Sequence, residues 1–93
     1  MHMYKSFAHR IIDLANGLTD NEILELHIRG NASDGVNSIG ITKGFQSIKQ
    51  IGLHRIEIIN NRGHAKIIDL RDISLAEVWY INNPYKHPNP VGF

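Results

Sequence analysis

Between residues 55 and 68 the chain reads Arg-Ile-Glu-Ile-Ile-Asn-Asn-Arg-Gly-His-Ala-Lys-Ile-Ile. Two runs rich in β-branched residues flank a turn-forming group, and that pattern has few solutions other than a β-hairpin. Asn60-Asn61-Arg62-Gly63 supplies the turn, with Gly63 able to take a positive φ. Pairing Ile59 with His64 would put Ile56, Ile58, Ala65 and Ile67 on one face. It would also set Glu57 opposite Lys66, a favourable cross-strand pair. The competing register, a three-residue loop closed by Asn60 and His64, pairs apolar with polar positions.

A chain of 93 residues makes one domain. The globular part is expected over residues 1–83. A proline-punctuated tail, 84–93, reads as extended or disordered. Fifteen isoleucines supply much of the core. Cysteine is absent, which removes disulfides, thiolate nucleophiles and cysteine zinc sites and fits a cytoplasmic setting. No apolar run approaches the roughly 20 residues of a membrane helix, and the front end lacks the apolar core of a signal peptide.

Helical signals dominate the rest. Phe7, Ile11 and Leu14 share a face, predicting a helix over 4–16 ended by Gly17. Thr19-Asp20-Asn21-Glu22 is a capping box with Leu18 and Ile23 as its hydrophobic staple, predicting a helix to about Arg29. Leu24-Glu25-Leu26-His27-Ile28-Arg29 nevertheless alternates like a strand. After a loop over 31–37, Ile41, Phe45, Ile48 and Ile51 recur at helical spacing, predicting a helix over 38–51 despite Gly40 and Gly44. Ser74-Leu75-Ala76-Glu77 is a second capping box and predicts a last helix to about Asn82, with a strand over 78–81 as the rival. The expected fold is therefore α+β: a small helix-dominated domain with one β-hairpin. If 24–29 and 78–81 are strands, a mixed sheet with one or two helices replaces it.

Charge is distributed unevenly. Residues 36–66 carry Lys43, Lys49, Arg55, Arg62 and Lys66 against Glu57 alone, whereas the first 35 residues are acidic. A basic middle points to a polyanion. The order helix, helix, loop, helix, hairpin over 4–70 resembles that of winged helix-turn-helix DNA-binding domains. The loop over 31–37 is longer than the roughly 3–4-residue turn of the compact motif. The resemblance implies that 38–51 is the recognition helix and 60–63 the wing tip. Lys43, Lys49, Arg62 and Lys66 would then hold phosphates of duplex DNA, and Gln46, Ser47 and Gln50 would meet base edges. The expected function is a small transcriptional or replication regulator or a mobile-element accessory protein. Ordinary solvated side chains would give the same composition.

Other constellations are sparser. His9 and Asp13 share a helix face, but a metal site needs three or four ligands, and no HExxH pattern is present. His27, His54 and His64 could join a site only through tertiary contact. Asp69 and Asp72 flank Arg71 and could form an acid/base pair if one were buried; organising a turn is the simpler role for Asp72 with Ser74. No GxSxG, P-loop or GxGxxG occurs. The expectation is a protein with no enzymatic activity, no metal and no cofactor. The alternative is a protein-binding module using an acidic helix with Asp20, Glu22 and Glu25, or an aromatic surface with Trp79 and Tyr80 that could also pair two copies.

Overall fold

The computed structural model describes residues 6–30, 37–82 and 91–92. One α-helix, α1 (Phe7–Asn16), is followed by strands β1 (Glu22–Ile28), β2 (Ser38–Thr42), β3 (Ser47–Gln50), β4 (Arg55–Ile59) and β5 (Ala65–Asp69). A 3-10 turn, Leu70–Asp72, leads into β6 (Ile73–Tyr80), and Val91–Gly92 forms a two-residue β7. The strands make two sheets, ordered β6-β1-β2-β7 and β3-β4-β5. All pairings are antiparallel except β2 with β7. The helix-dominated, winged-helix-like expectation is therefore wrong. The described residues are mostly β with a single α-helix, close to the mixed-sheet alternative.

Each misplaced helix has a physical explanation. Half of the first capping box forms: the Thr19 amide donates to Glu22 Oε1 at 3.0 Å, and the Glu22 amide donates to the Thr19 carbonyl at 3.1 Å. These bonds close a turn, and the chain leaves it extended. Leu24 and Leu26 then bury completely between Ile41 and Ile39 on one side and Val78 and Ala76 on the other. Burial against two neighbouring strands outweighs a cap worth about 1 kcal/mol. In the second box Ser74 Oγ reaches across to the His27 carbonyl at 3.3 Å, stitching β6 to β1. The helical spacing over 38–51 comes from two strands joined by a turn at residues 43–44; Ile39 and Ile41 enter the core from β2, and Ile48 packs against it from β3.

The hairpin is present, but in the competing register: Ile59 pairs with Ala65, and Glu57 faces Ile67 rather than Lys66. Asn60 decides this. Its Oδ1 accepts from the Arg62 and His64 amides at 3.0 and 2.9 Å, and its own amide donates to the His64 carbonyl at 2.9 Å. Gly63 takes φ +81, which this loop requires. Ile56, Ile58 and Ile68 consequently face the core, and Ile67 is left 58% exposed. A one-residue slip moves every side chain of β5 to the other face.

The two sheets and α1 enclose one core. The helix contributes Ala8, Ile11 and Ala15 and lies against β3; Ser6 caps it, accepting from the His9 amide at 3.2 Å. Most of the tail over 84–93 lies outside the described residues.

Candidate functional site

The sequence-predicted cations do not share one helix face, because 38–51 is not a helix. Lys43 and Gln46 fall in the connection between β2 and β3. Ser47 and Lys49 alternate with Ile48 and Gln50 along β3, so the predicted readers of base edges point to opposite faces. Gln50 Nε2 donates to the Gly52 carbonyl at 2.8 Å. Lys66 shares a strand face with Ile68, away from Ile67. Lys49 sits 3.5 Å from Glu57, and Lys43 sits 3.6 Å from Asp20.

One group does come together. The Gln46 amide donates to the Ile59 carbonyl at 2.7 Å, so the 43–46 connection runs beside the hairpin end. Asn61 Nδ2 lies 3.7 Å from where a Cβ on Gly44 would stand. Lys43, Gln46 and Arg62 therefore occupy one end of the β3-β4-β5 sheet, drawn from two segments.

The alternative surfaces fare differently. No acidic helix exists: Glu22 and Glu25 are strand residues, and Glu25 is only 7% exposed. Trp79 is buried beside its cross-strand neighbour Ile23, whereas Tyr80 is 66% exposed. His9 and Asp13 are exposed on α1 and are not joined by a third ligand among the described residues. Asp69 is not an acid/base partner. Its carboxylate accepts from Arg71 Nη2 at 2.7 Å, Arg71 Nε at 3.0 Å and the Arg71 amide at 3.0 Å. These bonds, with the charges of Arg71 and of Arg55 4.0 Å away, hold it ionised well below the usual carboxylate range. Asp69 rather than Asp72 thus organises the turn, and β6 follows in place of a last helix.

Sequence reasoning missed a cluster on the outer face of the β6-β1-β2 sheet. Glu25 and His27, two apart on β1, share that face, and Glu77 is the direct cross-strand partner of Glu25. His27 Nε2 lies 2.5 Å from Glu25 Oε1 and 3.9 Å from Glu77 Oε1. The signal was present as Glu-x-His within an alternating run. Reading that run as a helix set the two side chains on different faces.

Among the described residues, the cleft beside Ile39 and Ile68, of about 180 Å³, and the cleft beside Leu53 and Arg71, of about 190 Å³, both fall short of the roughly 300 Å³ at which small-molecule sites begin. No helix among the described residues is long and apolar enough to cross a membrane. No protein-family model matches the chain, and neither the curated proteins nor the solved structures give a match.

Proposed function

We propose that this chain is a non-enzymatic nucleic-acid-binding module that contacts phosphate with the end of the β3-β4-β5 sheet. The observation carrying this reading is the juxtaposition of Lys43 and Gln46 with Arg62, held by the Gln46–Ile59 backbone bond. Among the described residues Lys43 is tied to Asp20, in an ion pair exposed on both sides, so exchanging that carboxylate for a phosphate costs little. Lys49, on the neighbouring outer face, would extend the contact. With 38–51 folded as strands β2 and β3 and not as a recognition helix, recognition rests on backbone phosphates and is tolerant of sequence.

Fluorescence anisotropy of a labelled mixed-sequence duplex, taken at several salt concentrations, tests this. Binding should weaken with salt along a log–log slope of about −2 to −3, as expected for two or three phosphate contacts. The Lys43→Glu, Arg62→Glu double variant should lose it while keeping its circular dichroism spectrum. Absence of binding at low salt overturns the reading. It would turn attention to a protein partner at Tyr80, the aromatic residue left exposed at the end of β6.

A further inference from the structure

We propose that Glu25, His27 and Glu77 form a binding site for a divalent transition-metal ion, with zinc as the best-fitting occupant. This site lies on the other sheet and is independent of the proposed nucleic-acid contact. One ligand atom from each residue lies within 4.8 Å of the other two, and no other such trio occurs among the described residues.

Three observations support it. First, the strand register sets Glu25 directly opposite Glu77 on the same face. That register brings both carboxylates and the His27 imidazole to one place on the sheet. Second, the Glu25 side chain is nine-tenths buried, and among the described residues its one ionic partner is His27. A buried carboxylate needs compensation, and a metal ion supplies more of it than a neighbouring imidazole. Third, His27 Nε2 is sealed from solvent and directed at both carboxylates, 2.5 Å from Glu25 Oε1 and 3.9 Å from Glu77 Oε1.

The geometry needs small adjustment. Donors at about 2.0–2.2 Å on a tetrahedral zinc stand about 3.3–3.6 Å apart. The His27–Glu25 contact must therefore open from 2.5 Å by about 0.8 Å or more, and the His27–Glu77 separation must close from 3.9 Å. Side-chain rotations of Glu77, 30% exposed, and His27, 34% exposed, provide both. One imidazole and two carboxylates suit zinc or manganese better than calcium, which takes oxygen ligands alone. Three protein ligands leave a position for water on the solvent side.

The test is isothermal titration of Zn²⁺ into the full chain after chelator treatment and buffer exchange. The expected result is one ion per chain with micromolar affinity. Glu77→Gln and His27→Ala should each weaken it about tenfold or more, and His54→Ala should leave it unchanged. Zn²⁺ should also raise the melting temperature of the native chain but not that of Glu77→Gln, whose partly exposed site makes it the safer variant for folding. Absence of saturable binding, or binding that survives both Glu77→Gln and His27→Ala, overturns the proposal.

Discussion

The two sheets meet at one core, yet their outer faces differ. On the β3-β4-β5 sheet the outer face is solvated: Lys49 is exposed, Glu57 is half-buried, and Ile67 is largely bare. On the β6-β1-β2 sheet the outer positions Ile23, Glu25 and Trp79 are all nine-tenths buried or more. Alternation in sequence therefore reports the chemistry of a face and not its exposure. β1 alternates like a half-buried strand but is covered on both sides along its middle.

This contrast can be broken by substitution. Ile23→Ala should cost about 2–4 kcal/mol in urea denaturation, as a buried isoleucine does, whereas Ile67→Ala should cost less than about 0.5 kcal/mol. Equal costs would mean that the two outer faces are alike. Within the β3-β4-β5 sheet, the hairpin register is tested next. Gly63→Ala should lose about 1 kcal/mol because its φ is +81, while Gly44→Ala, with only Asn61 in van der Waals range, should be neutral or slightly stabilising. The subtlest effect concerns Asp69. Its carboxyl is held below its ordinary value by Arg71, so the associated stability is present above the unfolded value near pH 4 and is lost as pH falls toward the folded value. Acid titration followed by circular dichroism should show this loss in the native chain. Asp69→Asn should be less stable at neutral pH and should lack that part of the acid limb.

How much could be read beforehand depended on range. Helix α1 was visible because its apolar face and the glycine that ends it lie within eleven residues, from Phe7 to Gly17; its start, read at residue 4, falls at Phe7, after the Ser6 cap. The hairpin's place was visible as well, but its register was not. The Asn60 side chain's bonds to two backbone amides outweighed the attractive Glu57–Lys66 pairing. The capping boxes were real local signals that tertiary burial overrode, with Thr19 and Glu22 still bonded to one another outside any helix. Two of the three residues, Glu25 and His27, were present in the alternation of β1. Glu77 could be added only by knowing that β6 returns to pair with β1, which no local pattern states. The basic residues were counted correctly but assigned to a helix face that does not exist; two turns bring part of the set together instead.

That return of β6 sets an order of events during synthesis. Glu22 at the start of β1 waits for Tyr80, so the middle of this sheet acquires its second neighbour only once residues up to Tyr80 have left the ribosome. The β4–β5 hairpin closes across only three residues and can form as soon as it emerges. A chain halted before β6 would hold a finished hairpin beside an apolar β1 with an open edge. Shortening β6 from its C-terminal end should therefore lower the yield of folded protein more than its stability loss alone would suggest.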